Sequence, residues 1–73
     1  MNTIQKLTEE LGLVLQYDES EEFSVKSILN GHEVHELFSF QPTADEVREA
    51  LSNLTASGHV EPTLFEDTFV RPN

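Results

Sequence analysis

The chain has 73 residues, with 14 acidic side chains against 4 basic ones and a formal net charge of −10. Lys6, Lys26, Arg48 and Arg71 are scattered, which argues against direct binding to a nucleic-acid backbone, and the same charge would repel an anionic membrane surface. There is no cysteine, no apolar run near the roughly 20 residues of a spanning helix and no basic-then-apolar leader pattern, so thiolate and disulfide chemistry are excluded and a cytoplasmic protein is expected.

In chain order, the first element read is a short helix from Asn2 to Leu11. Ile4, Leu7 and Leu11 fall at helical spacing, Asn2 or Thr3 can cap it, and Gly12 is a natural stop. Leu13 to Tyr17 then alternates as a strand would. Asp18, Glu19, Ser20, Glu21 and Glu22 have no apolar member and read as a loop. Phe23 and Val25 alternate again. Asn30-Gly31 follows between two apolar segments and reads as a hairpin turn, because both residues tolerate positive φ. Val34, Phe38 and Phe40 continue on its far side.

Thr43-Ala44-Asp45-Glu46 is a capping box before an amphipathic helix that should bury Val47, Ala50, Leu51 and Leu54. That helix should end near Ser57-Gly58. The tail carries Leu64, Phe65, Phe69 and Val70, which are expected to pack as a last strand or on a partner.

These elements predict a small single α+β domain over 1–73. In it an N-terminal helix leads into a three-stranded antiparallel β-meander, with a C-terminal helix packed on the sheet. A second arrangement also fits. The run Val47, Leu51, Leu54, Gly58, Val60 resembles the end of a winged-helix recognition helix and its first wing strand. The resemblance covers under half of the chain. It implies a support helix over Val34 to Phe40, a recognition helix over Asp45 to Ser57, and a wing in the tail. Asn30-Gly31 and the alternation around it favour the meander.

A domain of this size buries only about 60% of its unfolded surface, so its margin of stability is small. Self-repulsion at −10 erodes that margin, and moderate salt or a drop to about pH 5 is expected to raise the melting temperature.

The candidates for chemistry are few. His32-Glu33-Val34-His35 lacks the four-residue His spacing of a metalloprotease helix, and it reads as two surface histidines on a hairpin arm. The paired carboxylates sit in polar local sequence rather than in the apolar pocket that general acid–base work needs. No catalytic residues, metal ligands or cofactors are assigned, and the expectation is a protein that is not an enzyme.

What remains is the acidic surface. Carboxylates on a loop, a hairpin and a helix can copy the charge of duplex DNA and enter a cationic groove. The expected contacts are Asp18, Glu19, Glu21, Glu22, Glu33, Glu36, Asp45, Glu46 and Glu49, with Phe65 and Phe69 as apolar anchors. In size, charge and lack of cysteine the chain resembles the small acidic inhibitors that phages make against host nucleases, restriction enzymes, uracil-removal enzymes and CRISPR effectors. That resemblance implies a protein partner with a basic surface and no direct contact with nucleic acid or membrane. The alternatives are a structural adaptor or homodimer using the apolar tail, and a winged-helix protein–protein adaptor.

Overall fold

A computed structural model describes every residue except Met1, Glu19 and Asn73. The fold is α+β, with three helices and a three-stranded antiparallel sheet. No helix among the described residues is long and apolar enough to cross a membrane.

Helix α1 (Thr3–Tyr17) starts where the sequence indicates, with the Asn2 carboxamide accepting from the Gln5 amide at 2.7 Å. It does not stop at Gly12. Leu7, Leu11 and Leu15 lie on one buried face, and this stripe carries the helix through the stretch read as a strand. The Leu54 side chain lies 3.6 Å from where a Cβ on Gly12 would be, an ordinary contact distance, so nothing about this glycine requires the helix to end.

Strand β1 (Glu22–Ser24) runs directly into helix α2 (Val25–His35). Ser24 and Ser27 form a reciprocal capping box, with both bonds at 3.0 Å. The expected Asn30-Gly31 hairpin is therefore not formed. Val25, Ile28 and His32 bury one helical face, and that packing outweighs the turn preference of two residues. Glu36 ends α2 in the left-handed region at φ 50°.

The α2–α3 connection is held by side chains in place of secondary structure. His32 Nδ1 accepts from the Phe38 amide at 3.1 Å, and the Glu10 carboxylate accepts from the Ser39 amide at 2.9 Å. His32 is thus a buried core residue and not a surface histidine on a hairpin arm. Phe38 stacks on it with ring centroids 5.2 Å apart.

Helix α3 (Ala44–Ala56) begins with the capping box read from Thr43 and Glu46. At its end the Gly58 amide donates to Thr55 and the His59 amide to Leu54, a Schellman closure that needs positive φ at Gly58 (82°). Strands β2 (Glu61–Pro62) and β3 (Thr68–Val70) complete the sheet in the order β1-β3-β2. The strands are thus not a meander of neighbours in sequence. β3 lies between the other two, with Phe69 opposite both Phe23 and Pro62, and Val70 opposite both Glu22 and Glu61.

Helix–strand–helix–helix–strand–strand with a central third strand is winged-helix topology. The support helix is Val25–His35, earlier in the chain than Val34 to Phe40, and the recognition-helix position is taken by α3. The core lies between α1 and α3, where Leu7, Leu11, Val47, Ala50 and Leu51 are fully enclosed.

Candidate functional site

The β2–β3 connection is a tight wing closed by two threonines. The Thr63 amide and hydroxyl both donate to the Thr68 carbonyl at 3.1 Å, and that hydroxyl accepts from the Phe65 amide at 3.1 Å. The Thr68 amide donates back to the Phe65 carbonyl at 3.3 Å. This closed turn holds its two large apolar residues away from the core. Leu64 is 104% exposed and Phe65 is 73% exposed. Adjacent exposed apolar residues on a rigid turn form a patch that burial against a partner would stabilise.

Asp67 fixes the wing to both neighbouring helices. It sits at φ 56°, a left-handed conformation that Asp tolerates better than most residues. Its carbonyl accepts from the Val25 amide at 3.1 Å, at the start of α2. Its carboxylate accepts from Arg48 Nε at 2.7 Å and from the second guanidinium arm at 2.9 Å. Arg48 also pairs with Asp45 one turn back on α3. The Arg48 hydrogen bonds hold Asp67 below the usual carboxylate range, and Asp67 first, then Asp45, pushes Arg48 up. An exposed pair of this kind adds little stability. Its consequence is geometric, since it sets the wing at one angle to α3.

The electrostatics of this face are inverted relative to a DNA reader. A recognition helix puts its N-terminal residues at the base edges, and Lys or Arg side chains bind the flanking phosphates. Here the first turn of α3 carries Asp45 and Glu46, and Glu49 follows on the exposed side. Arg48, the cation of the helix, is already shared between two carboxylates. Glu66 adds an exposed acid to the wing. Elsewhere Lys6 stands 5.9 Å over the Phe40 ring. Arg71 donates to the Leu15 carbonyl at 2.7 Å, with its guanidinium 5.6 Å from the Phe23 ring centroid.

Comparisons with protein-family models, curated proteins and solved structures find no match for this chain. The site therefore rests on its own geometry.

The acids expected to act together fall on several elements. Asp45 is exposed and linked to the wing through Arg48, and Glu49 is exposed one turn on, whereas Glu46 is half-buried and its carboxylate is turned back onto the Thr43 amide. Glu33 and Glu36 are exposed at the end of α2 and at its cap. Asp18 caps α1 and accepts from the Ser20 amide at 2.7 Å. Glu21 and Glu22 are exposed at β1, and the sheet places Glu22 and Glu61 on either side of Val70. Glu19 lies outside the described residues. Phe65 is an exposed apolar residue, but Phe69 is half-buried against the core and is not a free anchor. The sequence reading left Leu64 to pack in a last strand or on a partner, because nothing local separates an apolar pair in a wing from one in a strand, and it missed Arg48 and Asp67 as positioning residues. Among the described residues no group of three or more His, Asp or Glu is placed to hold a metal ion.

Three carboxylates are held below their ordinary range. Glu10 is lowered first by the Ser39 amide, against the opposing effect of burial, with the Ser39 hydroxyl and the Lys6 charge adding to it. Asp18 is lowered first by the Ser20 amide, and Asp67 by Arg48. A carboxylate lowered in the fold stabilises the protein above its unfolded pKa, and that contribution is lost as pH falls through the folded value. With ordinary values of 4.5 for Glu10 and 3.8 for the two aspartates, all three contributions are intact at about pH 5. Thermal melts followed by circular dichroism should therefore hold or rise from pH 7 to about 5 and fall below about pH 4. Glu10→Gln should flatten the acid limb. A melting temperature still climbing at pH 3 would contradict this assignment.

Proposed function

We propose that this chain is a non-catalytic protein-binding domain whose α3–wing face engages a cationic protein surface. In this reading it inhibits or regulates a nucleic-acid-handling protein, such as a nuclease or a CRISPR effector, by occupying its cationic site in the cytoplasm. The observation that carries the proposal is the exposed Leu64-Phe65 tip followed by exposed Glu66, on a wing tied through Asp67 to Arg48 of α3. An apolar centre inside a charged rim is the anatomy of a protein interface. The charges steer approach and the aromatic tip holds the complex. Arg48 is shared between Asp45 and Asp67, which disfavours its use on a phosphate.

The test is capture on immobilised protein with elution along a salt gradient, then competition with duplex DNA. The expected partner is a basic protein whose binding weakens steeply with salt and is displaced by DNA. Reversing Asp45, Glu49 and Glu66 to Lys should slow association at least about tenfold at low salt. A partner that binds through a neutral, salt-insensitive interface would rule the reading out.

A further inference from the structure

A groove runs between α1 and the end of α3, away from the wing. Its volume is about 990 Å³, within the roughly 300–1,000 Å³ of small-molecule sites. Leu13, Phe23, Leu54, Val60 and Pro72 supply its apolar lining, and Gly12 lies among them. Gly12 sits inside α1, where glycine is the poorest helix former after proline. A Cβ there would meet only the Leu54 side chain, at 3.6 Å, so packing does not require a glycine. What the missing side chain does is leave the groove open along α1.

Most polar groups of the lining already have partners within the protein. The Thr8 hydroxyl donates to the Ile4 carbonyl at 2.7 Å, and the Ser57 hydroxyl meets His59 Nδ1 at 2.7 Å. Arg71 donates to the Leu15 carbonyl at 2.7 Å. The Asp18 carboxylate, lowered first by its hydrogen bonds from Ser20 against the effect of burial, is lowered further by the Arg71 charge. Arg71 is thus answered by a carbonyl and a carboxylate. Glu9 differs. It is exposed on the groove one turn before Leu13, and among the described residues it has no ion-pair partner.

We infer that this groove binds an apolar amine, with the hydrocarbon body over Gly12 between Leu13 and Leu54 and the ammonium at the Glu9 carboxylate. The apolar lining selects the body of the ligand. The unpaired Glu9 selects the sign of its charge, and a net charge of −10 raises the local concentration of cations and lowers that of anions. An apolar acid would meet Glu9 and the same net charge, with the cation of the groove already turned to Leu15 and Asp18. The groove shares no residue with the wing or with the acids at the start of α3, so this site stands or falls separately from the α3–wing reading.

Three probes of one shape and different charge test this: naphthylmethylamine, naphthylmethanol and naphthoate, titrated into the protein at pH 7 and low salt and followed by amide chemical shifts. The amine should move the Gly12, Leu13 and Val60 signals with a dissociation constant on the order of 1 mM, as a ligand this small allows. It should bind at least about threefold more tightly than the alcohol, and the carboxylate should bind more weakly than either. Glu9→Gln, at an exposed position, should remove most of the preference for the amine and leave the alcohol within about twofold. Gly12→Leu should abolish binding of all three with the melting temperature kept or raised, since leucine is the better helix former. Phe65→Ala should change nothing. No saturable shift at Gly12, Leu13 or Val60 up to about 5 mM amine, an amine bound no better than the carboxylate, or a Gly12→Leu protein that binds as wild type does would overturn the inference.

Discussion

Alanine at Leu64 and Phe65 together should weaken binding to the basic partner at least about a hundredfold, since buried interface anchors are each worth about 2 kcal/mol or more. The melting temperature should stay within about 2 °C, because surface substitutions away from the core usually change stability by about 0.5 kcal/mol or less. Both side chains are exposed, and the turn that carries them is closed by Thr63 and Thr68, so truncation removes the anchor and leaves its support. The kinetic signature separates the tip from the acidic rim. Truncating the tip should raise the dissociation rate, and reversing Asp45, Glu49 and Glu66 should lower the association rate. Arg48→Met should fall between the two, because it frees the wing from Asp67 and keeps Leu64 and Phe65. Surface plasmon resonance against the captured partner resolves these rates. Affinity within about threefold of wild type for the double alanine variant would show that the wing is not the anchor.

The parts of the fold that were legible in the sequence are those fixed by local chemistry. The Thr43–Glu46 capping box, the Val47–Leu54 stripe and the stop at Gly58 each depend on residues within one or two turns, and all are found as read. The errors have physical causes of two kinds. In the first, two local signals competed. Gly12 and the alternation of Leu13, Leu15 and Tyr17 suggested a stop and a strand, but the spacing Leu7, Leu11, Leu15 buried against α3 keeps the helix going. Asn30-Gly31 suggested a turn, but the face of Val25, Ile28 and His32 holds both residues in α2.

In the second kind, the deciding contact is distant in sequence. β1 pairs with β3 across more than half of the chain, and no local pattern in Glu22-Phe23-Ser24 names Thr68-Phe69-Val70 as its partner. The same holds for the candidate site. The acids were visible one by one, and the capping box already turned Glu46 back onto Thr43, but the sequence could not show that Arg48 reaches Asp67. Phe65 and Phe69 looked equivalent in the tail. One lies at the wing tip and the other in the strand against Phe23, and only the turn between them separates their roles.

Leu51→Ala should remove much of the domain's stability. Truncating a fully buried leucine costs about 2–5 kcal/mol, through lost transfer energy and the cavity left behind. A domain of this length has a total of roughly 4–11 kcal/mol at ordinary per-residue stability, so the loss is a large fraction of the whole. Leu51 is fully enclosed in the cluster that joins α3 to Leu7 and Leu11 of α1. Urea melts should show a lower midpoint with an unchanged slope, and the thermal midpoint should fall by at least about 10 °C. Val34→Ala, on the exposed side of α2, should change stability by no more than about 0.5 kcal/mol. The two variants together test the orientation of the helices, since a structure that placed Val34 inside and Leu51 outside would reverse the result. Partner binding by Leu51→Ala should decline in step with its folded fraction, unlike the wing variants, which should lose binding while fully folded. That difference follows from α3 having two faces with separate tasks: one closes the core against α1, and the other carries the acids and the arginine that set the wing.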